Sequence, residues 1–169
     1  LGGYLAPRAA AFDKRISKVV AWSIFPCFQD VIVGMQKPVI QKLFHILMKL
    51  HARPLINLVF GIKAKKEPII DWGIRHGCYA YEAKDAYGYA QKLKLYDLEP
   101  IADKITQDML IIGASQDHFI DYRMLKNVRS LTFRLFTERE DAQNHCNVGN
   151  GKLVINEILS WITRIESEG

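Results

Sequence analysis

Apolar residues fall into short solid runs at the two ends of this chain and into helical spacing in its middle. Lys18-Val19-Val20-Ala21-Trp22-Ser23-Ile24 is a short, mostly apolar run ended by Pro26, and Asp108-Met109-Leu110-Ile111-Ile112-Gly113 is a second. Such runs suit strands buried on both faces of a parallel sheet. Ser130-Leu131-Thr132-Phe133-Arg134-Leu135-Phe136 predicts a third strand. Between the first two, residues 29–107 change character. Val39-Ile40, Leu43-Phe44, Ile46-Leu47 and Leu50 recur at helical spacing, as do Leu55, Leu58, Val59 and Ile62. Tyr79 to Leu95 continues with a helix-compatible mix of Ala, Lys, Glu and Tyr. Four or five helices and no strand are expected there.

Helices are also expected around the strands. The small residues Gly2, Gly3, Ala6, Ala9, Ala10 and Ala11 allow a helix to lie very close to its support. Pro7 is tolerated in a first turn, which predicts a start near Tyr4 or Leu5. Tyr122 to Val128 reads as a short helix, and Leu153 to Ile165 as a closing amphipathic one. Its buried side is expected to be Leu153, Ile155, Ile158, Leu159, Trp161 and Ile162. A strand-helix-strand-helix ending predicts the α/β class, a parallel sheet covered by helices. The expected organisation is 1–28 with 108–169 as an α/β core, and 29–107 as a helical insertion.

Composition narrows the classes. The 169 residues are 49% hydrophobic and 24% charged, as in a globular protein with room for one core. The net charge of +5 is dispersed, and its densest run, Lys63-Ala64-Lys65-Lys66, reads as a solvated loop or helix end. No nucleic-acid-binding motif accompanies it, so no nucleic-acid partner is expected. No apolar stretch reaches the roughly 20 residues needed to cross a bilayer, so no membrane partner is expected either. Cys27, Cys78 and Cys146 are odd in number and scattered, which points to a reducing, cytoplasmic location rather than a disulfide framework. The five histidines lie far apart, and none has a helical i, i+4 partner ligand. Neither a metal nor a cofactor is expected.

In open α/β sheets, catalytic groups gather at the C-terminal ends of the strands. Two stretches fall there with suitable chemistry. Gly113-Ala114-Ser115-Gln116-Asp117-His118-Phe119-Ile120 follows one strand, and Asn144-His145-Cys146-Asn147-Val148-Gly149-Asn150 follows the next. Asp117 and His145 are 28 residues apart, about one strand-helix-strand step, so adjacent parallel strands would bring them together. An Asp that orients and charge-balances a His, in that chain order, is two-thirds of a serine-hydrolase triad.

The opening Leu1-Gly2-Gly3-Tyr4-Leu5-Ala6-Pro7-Arg8-Ala9-Ala10 resembles the segment just after the nucleophile in the G-x-S-x-G elbow of α/β hydrolases. In that pattern Leu1 follows the serine and Gly2 is the last glycine. The stretch around Asp117 is similar to the family's acid loop. The stretch around His145 is similar to the histidine loop of one branch, which holds acylaminoacyl-peptidase-like and prolyl-oligopeptidase-like hydrolases, fermentation-respiration-switch esterase-like proteins and a C–C hydrolase. The resemblance implies that this is the C-terminal part of an α/β-hydrolase fold, with residues 29–107 as its cap. It implies hydrolysis of a small-molecule ester, an amide or a short peptide through an acyl-enzyme. His145 would act as base, Asp117 as orienting acid, and the backbone N–H of Leu1 would belong to the oxyanion hole. The serine would stand immediately before Leu1, so this stretch alone is expected to be inactive and to need the N-terminal half of the same fold. In the absence of that half an edge of the sheet is unpaired, and a homo-oligomer would be a way of covering it. C–C bond hydrolysis, or a degenerate hydrolase serving as a binding module, are the alternatives.

Several other residues admit plainer roles. Asp121 and His118 are neighbours that could compete as acid and base. Cys146, beside His145, reads as a small buried residue rather than a nucleophile. His45 and His51 read as ordinary helix residues. Trp72, His76, Tyr79, Tyr81, Tyr87 and Tyr89 concentrate aromatic surface in the second half of the helical segment. They could wall a substrate pocket, with Trp72, Tyr79 and Tyr81 as candidate contacts, or simply pack helices.

Overall fold

The computed structural model describes residues 1–34, 36–117 and 125–168. Its sheet has three parallel strands in the order β1-β2-β3: β1 is Lys18–Trp22, β2 is Asp108–Ala114 and β3 is Leu131–Phe136. Lys18 stands opposite Asp108 on one side of β2, and Met109 opposite Leu131 on the other. All seven residues of β2 are buried, as expected for a central strand covered on both faces. The fold is mixed α/β, a small parallel sheet flanked by helices.

The chain divides into two compact units, Leu1–Pro26 with Asp97–Gly169, and Cys27–Tyr96. The first holds the sheet. Helix α1, Gly2–Phe12, packs on β1, with Gly3, Tyr4, Pro7, Ala10 and Ala11 buried. Tyr4 stacks on Phe25 with ring centroids 5.9 Å apart. A 3₁₀ turn, Glu99–Lys104, leads toward β2. Gln107 supports α1 by donating to the Ala10 carbonyl at 2.7 Å. Helix α7, Gly151–Glu168, covers Leu110, Ile112 and Phe136 with Val154 and Trp161. The Trp161 indole donates to Thr132 Oγ1 at 3.1 Å, so even this packing residue has its polar atom satisfied.

The second unit is five helices: α2 Phe28–Val33, α3 Pro38–Lys49, α4 Arg53–Lys66, α5 Pro68–Ala80 and α6 Ala86–Leu93. No strand occurs in it among the described residues. Helices α3, α4 and α5 each carry proline in the first turn, where no backbone donor is lost. Val33, Phe44, Met48, Ile56 and Ala90 form its core. Its two ends meet, since Phe28 N–H donates to the Tyr96 carbonyl at 2.9 Å. In the sheet unit Leu98 N–H likewise donates to the Pro26 carbonyl at 2.8 Å.

Three sequence expectations need correction. Helix α1 begins at Gly2, a turn before the expected start, and Pro7 lies inside it. Pro7 cannot donate to the Gly3 carbonyl, but burial of the helix against β1 outweighs that loss. The helix-compatible stretch Tyr79–Leu95 holds the end of α5, a turn and α6. Glu82 takes a left-handed conformation (φ 50°), and Asp85 caps α6 by accepting from Gly88 N–H at 2.8 Å. On α7, Ile155 and Leu159 are exposed, while Leu153, Ile158, Trp161 and Ile162 pack on the core as expected and are joined there by Val154 and Ile165. The helix expected over Tyr122–Val128 falls partly outside the described residues, and 125–128 are irregular.

Candidate functional site

The register of β2 against β3 places Ala114 opposite Phe136, so the two strands end side by side. The loops beyond them are then bonded to each other. Ser115 N–H donates to the Phe136 carbonyl and Gln116 N–H to the Gln143 carbonyl, both at 2.9 Å. Gln116 Nε2 reaches Glu138 Oε1 at 2.6 Å. Asp117 and His145 lie on these two loops, and the structure brings them together. His145 Nδ1 stands 2.9 Å from Asp117 Oδ2.

Their environments differ in the way such a pair requires. The Asp117 side chain is wholly buried, while that of His145 is 56% exposed. A buried carboxylate is retained only when partnered. Asp117 Oδ2 accepts a second hydrogen bond, from Ser23 Oγ at 2.8 Å. An Nδ1–H donated to Asp117 fixes the tautomer of His145 and leaves the lone pair on Nε2.

The histidine loop is held in an unusual backbone path. Cys146 and Asn147 both take left-handed conformations, with φ of 55° and 52°. Asn147 is buried and spends its side chain on three bonds. It accepts from the Trp22 indole at 2.7 Å, donates to the Ala142 carbonyl at 2.7 Å and lies 3.4 Å from the Gly113 carbonyl. Gly149 has φ 120°, and a Cβ there would lie 2.1 Å from the Asp141 carbonyl oxygen, so only glycine fits. Asn150 closes the loop, donating to the Glu140 carbonyl and accepting from Leu153 N–H at the start of α7. Cys146, expected to be buried, is instead exposed on its left-handed turn, and among the described residues Gln143 Oε1 is buried with no hydrogen-bond partner.

Ser23 is a site residue that the sequence reading misses. It follows β1 directly, has φ 59° and is buried, with its N–H donating to the Ile112 carbonyl at 2.9 Å. The start of α1 leans on it. A Cβ at Gly3 would lie 2.4 Å from the Ser23 carbonyl oxygen, whereas one at Gly2 would meet nothing within 4 Å. Contacts therefore run from the first turn of α1 through Ser23 to Asp117 and His145. Leu1 caps that turn, its carbonyl accepting from Tyr4 and Leu5. The only sequence signal for Ser23 is that it is the one hydroxyl in the otherwise apolar run Val19 to Ile24.

The three aromatic candidates belong to the helical unit and do not converge. Trp72 is exposed and stacks on His76, with centroids 5.1 Å apart. Tyr79 is 85% exposed. Tyr81 packs against Tyr89 and Tyr96, and burial pushes its phenol up. His45 stands 3.4 Å from Asp30, and His51 bonds the Tyr87 hydroxyl at 2.9 Å. His118 and Asp121 lie outside the described residues. Among the described residues no three His, Cys, Asp or Glu side chains are grouped to hold a metal ion, and no helix is long and apolar enough to cross a membrane. No protein-family model matches the chain, and no curated protein matches it.

Proposed function

We propose that Asp117 and His145 are the acid and base of a serine-hydrolase triad on an α/β-hydrolase fold, acting on an ester, amide or peptide bond. The observation that carries this reading is the 2.9 Å contact between a buried Asp and a half-exposed His at the ends of adjacent parallel strands. The nucleophilic serine would stand immediately before Leu1, on the elbow that leads into α1. The close seating of Gly3 on Ser23 supports such an elbow, because it anchors the start of α1 to the residue that bonds the acid.

In this mechanism His145 Nε2 takes the proton from the serine hydroxyl as it attacks the carbonyl, then returns it to the leaving group. Asp117 holds the ring and stabilises the imidazolium. The oxyanion would be met by the N–H of Leu1 at the start of a helix whose first turn carries no acidic residue. The test is to react the full-length protein, including the segment before Leu1, with a fluorophosphonate and read its intact mass. One adduct, lost in His145→Ala, supports the reading. No adduct on a folded protein overturns it and leaves a binding module with a remnant pair.

A further inference from the structure

The helical unit forms a half-open cleft of about 270 Å³ between α2, α3, α4, α5 and α6. Its wall is almost entirely aliphatic and aromatic: Val33, Phe44, Leu47, Ile56, Phe60 and Ile74 are among the lining residues. A cavity of about 150 Å³ with such a lining takes up benzene, and drug-sized ligand sites begin near 300 Å³. This space therefore suits an apolar molecule of about ten carbons.

Gly73 adds to the space. It lies inside α5 on the same face as Ile70, Ile74 and Gly77. Glycine in a helix interior costs about 1 kcal/mol relative to alanine. At Gly77 that cost has a steric reason, because a Cβ would lie 2.3 Å from the Tyr89 ring. At Gly73 a Cβ would meet nothing within 4 Å, so no close contact requires glycine there. What the missing side chain leaves is volume at the cavity wall.

The wall also carries a cation with a neutral partner. Lys63 Nζ donates to Gln36 Oε1 at 2.8 Å, and both residues line the cavity. No ion pair among the described residues involves Lys63. An ammonium and an amide beside an apolar chamber are complementary to a carboxylate on an aliphatic chain.

We propose that this cavity is a binding site for a medium-chain aliphatic carboxylate, its chain against the helical core and its head on Lys63 and Gln36. The site is complete within residues 27–96 and does not depend on the catalytic reading. The test is calorimetric titration of the full-length protein with decanoate and with decanol. Wild type should bind one decanoate per chain. Gly73→Leu should fill the space and weaken binding at least about tenfold without lowering Tm, because leucine is also the better helix former. Should that variant fold poorly, Ile40→Trp blocks the cavity from an exposed position and should weaken binding equally. Lys63→Met should weaken decanoate about tenfold and leave decanol unchanged. Absence of saturable decanoate binding, or binding that survives a filling variant, overturns the site. Loss of decanol and decanoate alike in Lys63→Met, or of neither, overturns the carboxylate assignment.

Discussion

The indole N–H of Trp22 donates to Asn147 Oδ1 at 2.7 Å, joining the end of the first strand to the loop that carries His145. The bond fixes a left-handed residue directly after Cys146, and so sets where the histidine ring emerges. Asn147→Leu should strand the Trp22 donor and the Ala142 carbonyl together and strain the left-handed backbone, destabilising the protein by about 3 kcal/mol. Trp22→Phe should cost about 1–2 kcal/mol beyond its lost packing. Urea unfolding of both variants checks this. A change below about 0.5 kcal/mol in Asn147→Leu would show that the network does not hold the loop.

The bond from Ser23 Oγ to Asp117 should matter to the chemistry more than to the fold. On the proposed mechanism, Asp117→Asn in the full-length protein should slow fluorophosphonate labelling on the order of ten-thousand-fold, since the wrong tautomer of His145 is then favoured. Ser23→Ala removes one of the donors to the buried carboxylate, and should slow labelling about tenfold. Circular dichroism of both variants should match wild type. Labelling of Asp117→Asn at the wild-type rate would remove Asp117 from the site.

Two adjacent glycines should respond in opposite ways to the same change. Gly2→Ala meets open space in the first turn of α1, and should be neutral or stabilising by up to about 1 kcal/mol. Gly3→Ala drives a methyl against the backbone of Trp22 and Ser23, which cannot yield without separating helix from strand. A loss of about 2–3 kcal/mol is expected, read from the shift in urea midpoint. Equal responses would mean that α1 does not sit on β1 as described.

Glu140 gives the histidine loop an acid limit. Hydrogen bonds from the Thr137 side chain and backbone, then from Arg134, lower its carboxyl from 4.5 to about 2. A carboxyl depressed on folding adds stability that is complete above its unfolded value and fades as pH falls through the folded one. The advantage of wild type over Glu140→Gln should therefore be nearly constant above pH 4.5, shrink steadily below it and vanish only below about pH 2. Urea midpoints measured across that range decide it, and a gap unchanged at pH 2 would contradict the assignment.

The central strand is legible in the sequence because burial on both faces leaves no room for polar residues, so Met109 to Ile112 stand out, whereas β1 alternates buried and partly buried positions and is marked only by its apolar run. The pairing of Asp117 with His145 is legible from spacing, given parallel strands. Ser23 and Asn147 are not, because their importance lies in positive φ and in partners far along the chain, and neither leaves a local pattern. The start of α1 is misplaced by the positional preference of Pro7, which takes no account of the burial that overrides it. On α7 the apolar residues outnumber what one face can bury, and hydropathy alone does not tell Ile155 from Val154.

The closed ends of the helical unit bear on the order in which the chain folds. Strands β1 and β2 are neighbours in the sheet, yet all of residues 27–96 lie between them in sequence. Pairing so distant in the chain is intrinsically slow, since a long loop must close before any contact repays it. The five helices make mostly local contacts and can condense early, and the bond from Phe28 to Tyr96 then brings entry and exit together. Only the segments 23–27 and 97–107 would then remain to be closed before β1 can pair in parallel with β2. The insertion should thus act on the kinetics of the sheet as a preassembled splint, and weakening its helices should delay strand pairing, read by stopped-flow refolding, even where the finished sheet is untouched.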